Sequence, residues 1–288
     1  MNYYVKGAID AKSTNGKKYI RLTLVEESTD TVFDAFCWEP SIEAAECMSK
    51  VINSQVNPLD KFPKVYPVEL ESGVELGLIP EIPDNFIKFL KKVPSKEEFI
   101  SKFKEAVEFD SIESGILKGK LEYEVERLHD LYLVGFGGAI MHHAYSGGLL
   151  QHTYEILNSF VALRPSLPFK VDSVVCGLGI LYHDYGKLYE YDSCGAVTEA
   201  MSLTPHSYLG AVEVLSVYSS ILEYRVVQMI QHVILSHHGK KEYGACVEPQ
   251  TLEALVVNLL DELSGKGDHM NRCSNMEKSY WTGGRVIR

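Results

Sequence analysis

Prolines at 80, 83 and 94 divide this chain into two parts with different hydrophobic periods, so one layer of secondary structure cannot account for both. Before them, apolar and β-branched residues alternate between turn signals. "YYVKGAI" leads into "STNGKK", then "YIRLTLVEE", "STD" and "TVFDAFCWE". Asn-Gly and Ser-Thr-Asp between alternating runs are hairpin signals. "SIEAAECMSKVI" predicts a helix with Ser41 as cap, and "KVYPVEL" and "VELGLIP", split by Glu71-Ser72-Gly73, predict two more strands. Three strands, a helix and two strands suit a five-stranded barrel of the OB type, or another small β domain.

After the prolines the period becomes helical. "SKEEFISKFKEAV" opens on Ser95 with Glu98 three residues on, a capping box. From there to about residue 263 only helices and turns are expected. The expected fold class is therefore α+β with two domains: an OB-like β barrel at 1–80, a linker at 81–94 and an all-α bundle at 95–288. A chain of 288 residues is long enough for two such cores.

Composition narrows the function classes. No apolar run approaches the roughly 20 residues that span a bilayer. The start, "MNYYVKGAID", carries Lys6 and Asp10 and lacks the apolar core of a signal peptide. The six cysteines form no CxxC pair. These features predict reduced thiols in a cytoplasmic protein with no membrane partner. A formal net charge of −11 argues against coating nucleic acid electrostatically. A nuclease with a locally positive site stays compatible, because bound divalent ions supply charge of their own.

All ten histidines lie between His129 and His269. "SGGLLQHTYEIL" puts His152 in the first turns of a helix. "VDSVVCGLGILYHDYG" is capped near Asp172 and carries His183 and Asp184 in its last turn. "TPHSYLGAVEVL", with Thr204 as cap and Pro205 first, puts His206 near a helix start. "YRVVQMIQHVILSHHG" ends on His237 and His238. "EPQTLEALVVNLLDEL" starts at Pro249 and carries Asp261 near its end. Five helices thus each bring a histidine or aspartate, mostly near a terminus, and a bundle can gather such termini. A buried, unpaired His-Asp is costly. Metal ions would compensate it, and imidazole with carboxylate suits Zn, Mn, Fe, Co or Ni. Asp184 is placed to bridge two ions, and two ions can clamp a phosphate and supply hydroxide for in-line attack.

"LYHDYGKLYE", with an upstream His and a downstream Asp, resembles the HD superfamily of metal-dependent phosphohydrolases. "MHHAYSGGLLQHT", "HVILSHHG", "LEALVVNLLDEL" and "NGKKYIRLTLVEESTDTVFDAFCWE" are similar, in order, to segments of one branch. That branch is the bacterial 3′-5′ exoribonucleases of the YhaM type, with an N-terminal OB fold and a C-terminal HD domain. The resemblance implies that His152, His183, Asp184 and Asp261 form the HD metal site. It implies that His206, His237 and His238 are the extra ligands of two-metal HD phosphodiesterases. Lys187 matches the lysine that meets a substrate phosphate. His142, His143 and His232 match motif histidines that either support the ligands, face substrate, or are ordinary polar residues of their helices. The implied cofactors are two divalent transition-metal ions, manganese first, with Co, Fe, Ni or Zn as alternatives. Asn258 stands where the family commonly has a histidine, and Ser264 where it commonly has a second acidic residue.

Tyr3, Tyr4, Tyr19, Phe33, Phe36 and Trp38 offer stacking faces for single-stranded bases or fill the barrel. The expected activity is 3′-5′ hydrolysis of single-stranded RNA, with single-stranded DNA as a further substrate and a homo-oligomer as a compatible assembly. Asp184 and Lys187 carry the chemistry in this reading. Two alternatives stay open: a phosphohydrolase of cyclic dinucleotides or small nucleotides, and a nucleic-acid-binding module without catalysis.

Overall fold

The computed structural model describes residues 2–13, 16–26, 32–38, 51–54, 56, 68–70, 73–75, 78–79, 93–138, 143, 147–192, 197–272 and 287. The N-terminal part is a small antiparallel sheet. Its strands are β1 (Asn2–Lys12), β2 (Lys18–Glu26), β3 (Val32–Trp38), β4 (Val51–Asn53) and β7 (Leu78–Ile79). They lie side by side in the order β3-β2-β1-β4-β7. β5 (Val68–Leu70) and β6 (Gly73–Glu75) form a separate hairpin.

Alternation explains the sheet. Ile20, Leu22 and Leu24 point to one face, where Ala35, Cys37, Ile52, Tyr3, Val5 and Ala8 meet them as a buried core. In register, Ile20 faces Cys37 and Leu22 faces Ala35. The opposite face of β2 and β3 carries Tyr19, Arg21, Phe36 and Trp38, all at least partly exposed. β1 shifts register between Val5 and Gly7, a bulge that adds twist to the longest strand. This strand order is compatible with an OB fold.

Two expectations for this part change. Val51 and Ile52, placed at the end of a helix by sequence, are in strand β4, paired with Tyr4 and Tyr3 of β1. The apolar pair satisfies a strand's inward face as readily as a helix's, and pairing across the sheet decides it. The rest of that expected helix, 41–50, lies outside the described residues. "VELGLIP" is not one strand: Gly73–Glu75 closes the hairpin with β5, and Leu78–Ile79 crosses to β4.

The C-terminal part is helical. It comprises α1 (Lys96–Ala106), α2 (Gly115–Tyr132), α3 (Gly148–Leu163), α4 (Ser173–Tyr182), the short α5 (Lys187–Glu190) and α6 (Ala200–Leu203), α7 (His206–Tyr218), α8 (Tyr224–Ser236) and α9 (Leu252–Arg272). The Ser95–Glu98 capping box is formed at the start of α1. One β-bridge, Tyr191 to Val197, interrupts the expected run of helices and turns. α4 is the centre of the bundle. Its residues from Val175 to Tyr182 are all buried, and α1, α3, α7, α8 and α9 pack around it. A helix that is apolar all round has no solvent face to keep. No described helix is long and apolar enough to cross a membrane.

Four helix ends differ from the sequence reading, and each matters for the site. α8 stops at Ser236 with His237 as its C-cap, so His238 lies just past the helix. α4 ends at Tyr182 with His183 as its C-cap, so Asp184 lies just past the helix. α7 is capped by Pro205 in extended conformation, one residue later than Thr204. α9 begins at Leu252, where Thr251 Oγ1 accepts from the Ala254 N–H, and it runs on to Arg272. Asp261 is therefore near the middle of a long helix.

Candidate metal centre

The end of α4 delivers two side chains to one place. The His183 Nδ1–H donates to the Ile180 carbonyl at 2.8 Å, satisfying a helix-end acceptor and turning Nε2 inward. His237, the C-cap of α8, does the same with Ile234 at 2.6 Å. His206, the first residue of α7, has Nδ1 3.0 Å from Glu190 Oε1, and its backbone N–H donates to that same oxygen at 3.1 Å. A carboxylate only accepts, so this Nδ1 carries the proton too.

His152 obtains its tautomer at one remove. Its Nδ1 lies 3.0 Å from Ser264 Oγ, while the Ser264 hydroxyl donates to Glu155 Oε2 at 2.6 Å. A hydroxyl has one proton, so Ser264 accepts from His152. Glu155 is held down to about 2: burial alone would raise it, but His143, Ser264 and Gln151 hydrogen-bond it and win. All four imidazoles thus turn a lone pair on Nε2 toward the centre.

These nitrogens face one another. His152 Nε2 is 3.3 Å from His183 Nε2, and His206 Nε2 is 3.4 Å from His237 Nε2. Lone pairs this close repel unless a cation lies between them. Asp184 sits between the two pairs. Its Oδ2 is 3.2 Å from His183 Nε2 and 3.5 Å from His152 Nε2. Its Oδ1 is 3.5 Å from His206 Nε2 and 3.6 Å from His237 Nε2. Asp261 Oδ1 completes the first group, 3.0 Å from His152 Nε2 and 4.0 Å from His183 Nε2. His238 completes the second; its ligand atom and those of His206 and His237 all lie within 4.8 Å of one another. Ligand atoms bound to one first-row ion at about 2.1 Å lie about 3 to 4 Å apart. The donor set fits such ions. Asp184 Oδ1 and His238 Nδ1 are buried with no hydrogen-bond partner among the described residues, which is costly unless an ion takes their place.

Three of the ligand rings have protonation states that suit ligation. His152 is pushed well below the usual imidazole range by burial and by His143 beside it. His237 is pushed well below it by burial and by His238. His238 falls to about 4, again through burial first and then His206. These rings are neutral at pH 7. Burial would raise Asp184, but His183, Lys187 and His206 overcome it and hold the carboxyl well below its usual range. Lys187 Nζ donates to Asp184 Oδ2 at 2.7 Å and to the Gly137 carbonyl at 2.6 Å, so it anchors the shared carboxylate as well as lining the adjoining cavity.

One glycine makes the approach possible. A Cβ on Gly186 would lie 2.4 Å from both Cα and O of His206, so the glycine of "HDYGK" lets the start of α7 reach the site.

Of the remaining histidines singled out by sequence, His142 lies outside the described residues. His143 is fully buried, with its ring centroid 5.1 Å from that of His152 and its Nε2 3.1 Å from Glu155 Oε2. It backs the site without joining the ligand groups. His232 is not brought to the site: its Nε2 accepts from the Gln250 N–H at 2.9 Å, in the segment before α9.

Sequence reasoning missed four supporting residues. Glu155 follows His152 at i+3 on the same helix face, which was a readable signal. Glu190 closes the "HDYGKLYE" segment one helical turn beyond Lys187. Ser264 follows Asp261 at i+3. Asn258, in the position noted as a departure, donates from Nδ2 to the His237 carbonyl at 2.6 Å and covers Gly239. It holds the end of α8 that carries His237 and His238.

A helical bundle that turns imidazoles and carboxylates onto one buried point forms a candidate site for divalent metal. Residues 149–266 match the model of the HD domain. The helical region therefore carries an HD domain, which implies metal-dependent phosphohydrolase chemistry. No solved structure matches the chain.

Proposed function

We propose that this protein hydrolyses single-stranded RNA from its 3′ end, and single-stranded DNA less readily, with two divalent transition-metal ions, manganese foremost. His152, His183 and Asp261 would hold one ion and His206, His237 and His238 the other, with one Asp184 oxygen toward each. When bound, such ions polarise water and offset phosphate charge at neutral pH. The protein's own part is positional. Nδ1–H bonds hold four imidazoles in the ligating tautomer, and Lys187 keeps a positive charge beside the shared carboxylate, where it offsets charge developing on a phosphate. Neither a protein nucleophile nor another cofactor is needed.

The observation that carries the choice of a single-stranded substrate is the outer face of β2 and β3. Tyr19 and Trp38 lie opposite each other with ring centroids 4.9 Å apart, Phe36 is 5.9 Å from Tyr19, and Trp38 is 41% exposed. Aromatic faces suit bases that stack, and Arg21 on the same face is ion-paired with Asp34. In an OB fold this is the oligonucleotide face. Tyr3 and Tyr4 are buried and contribute to the sheet instead, and the Phe33 side chain is outside what is described. In this reading 1–80 holds the strand and 95–288 performs the cleavage.

The test is a time course with Mn²⁺-loaded protein on 5′-labelled single-stranded RNA. A ladder shortening from the 3′ end, stalling before a stable hairpin and releasing 5′-nucleotides, supports the reading. An Asp184→Asn control assigns the activity to this site. A second reading has its own support: the net charge of −11 and a cavity of about 270 Å³ at the ligands favour a compact substrate such as a cyclic dinucleotide. Cleavage of that substrate with RNA left intact would establish it.

A further inference from the structure

The cavity at the metal ligands extends beyond them, and its far wall is built from residues that ligate nothing. Tyr243, Glu262, Gly265 and Lys266 line the cavity together with Asp184, Lys187, His238 and Asp261. Tyr243 ends a single 3-10 turn, Lys241–Tyr243, in a loop bounded by Gly239 and Gly244, both with positive φ. The loop folds back through the Cys246 N–H donating to the Leu235 carbonyl, and Tyr243 lines the cavity. That ring is 60% exposed, and Lys240 Nζ lies 5.6 Å from its centroid. It is presented, not buried.

Glu262, on α9 and next in the chain to Asp261, lines the same cavity. Its Oε2 accepts from Lys266 Nζ at 2.5 Å, one helical turn on. The pair fixes the carboxylate on this wall. Gly265 places no side chain between them. At about 270 Å³ the space lies near the lower end of small-ligand pockets, which begin at about 300 Å³. That volume is on the scale of one nucleotide.

We propose that this wall is a subsite for a single terminal ribonucleotide, with the base stacked on Tyr243 and the ribose hydroxyls donating to Glu262. The inference rests on the reading that the site cleaves phosphodiesters, because the 5′-phosphate of that nucleotide must lie at the metal ligands. The chemistry is selective in two directions. The carboxylate oxygens of Glu262 accept, and a 2′,3′-diol offers them two donors. A 2′-deoxyribose loses one of them, which is how a protein tells RNA from DNA at one position. A 3′-phosphate in place of the hydroxyl loses the 3′ donor and sets acceptor oxygens against those of Glu262. Stacking on Tyr243 is indifferent to which base is present.

The experiment is titration calorimetry of the full-length, Mn²⁺-loaded protein with AMP and with 2′-deoxy-AMP, beside the RNA cleavage assay. Wild type is expected to bind AMP about tenfold more tightly than 2′-deoxy-AMP. Glu262→Gln should bring that ratio close to one, with Glu262→Asp between the two. Tyr243→Leu should weaken both nucleotides about tenfold, and Tyr243→Phe should not. RNA ending in a 3′-phosphate should be shortened at least tenfold more slowly than the same RNA with a free hydroxyl. A Glu262→Gln variant that keeps the wild-type ratio, or a Tyr243→Leu variant that binds both as wild type does, overturns the subsite. If RNA is shortened but the ratio ignores Glu262, the subsite falls and the nuclease reading stands. If RNA stays intact while the AMP preference depends on Glu262, the nuclease reading falls and the subsite stands for a smaller nucleotide.

Discussion

His152 and Ser264 stand 112 positions apart in the chain, yet the 3.0 Å contact between Nδ1 and Oγ decides which nitrogen of His152 faces the metal site. Because Ser264 gives its only proton to Glu155, His152 must donate to it, and Nε2 is left to ligate. Ser264→Ala removes this constraint. Loss of a residue that orients a ligating histidine typically costs about 10- to 100-fold in metal affinity. The same loss is expected here, with Ser264→Thr restoring most of it. Competition against a fluorescent chelator measures both, and unchanged affinity in the alanine variant would show that His152 is oriented by other means.

Asp184 shows one oxygen to each ligand group, so its removal should act on both. The loaded protein is expected to carry close to two ions per chain. Asp184→Ala should lose both and His206→Ala mainly one. Elemental analysis after gel filtration decides, and equal stoichiometry in the two variants would contradict a shared carboxylate.

Gly186 and Gly119 make opposite predictions for the same substitution. A Cβ at 186 collides with the His206 backbone, and overpacking of this kind costs about 1 to 3 kcal/mol. Gly186→Ala should therefore lower thermal stability and weaken binding at the His206 group. Gly119 lies exposed inside α2 with nothing within 4 Å of an added Cβ. Gly119→Ala should stabilise by about 0.5 to 1 kcal/mol. Thermal melts of the two variants test both signs.

Glu124 sets a pH dependence remote from the metal site. It is 2% exposed and accepts from Lys120 at 2.8 Å, Arg127 at 2.7 Å and the Tyr182 hydroxyl at 3.0 Å. Burial would raise its carboxyl, but Lys120, Arg127 and Tyr182 lower it below the usual value. A group depressed on folding stabilises the protein above its unfolded value of about 4.3 and loses that contribution as pH falls through the folded value. Glu124→Gln, which breaks a buried charge network, should cost about 3 kcal/mol at pH 7. The gap to wild type should stay constant down to about pH 5 and shrink below about pH 4. Urea unfolding of metal-free protein at pH 7, 5 and 3.5 follows it, and a gap that widens in acid would reverse the sign.

Several side chains of the candidate metal site were legible in the sequence because they sit at helix ends, as His183, His206 and His237 do, and helix ends are local. Asp172 caps α4 through its own side chain on Val174 and Val175, the Ser95–Glu98 box starts α1, and a Gly follows each of the His-Asp and His-His pairs closely. Binary pattern and punctuation carry that much, because they depend on residues within a turn of each other. The sheet was legible in the same way where alternation was long, in β1 to β3. It was not at Val51 and Ile52, where two apolar residues serve a helix or a strand equally well until β1 pairs with them. Asp261 was placed near a helix end because the pattern shows where apolar residues recur and not how far a polar face continues. Only the tertiary structure decided the division of labour at the site: which ligands group together, which oxygen of Asp184 meets which group, and how Glu155, Ser264, Glu190 and Asn258 fix the imidazoles. Those contacts join elements whose separation in the chain is large, and their geometry is set by how helices cross around α4, a property of packed volumes that no local spacing encodes.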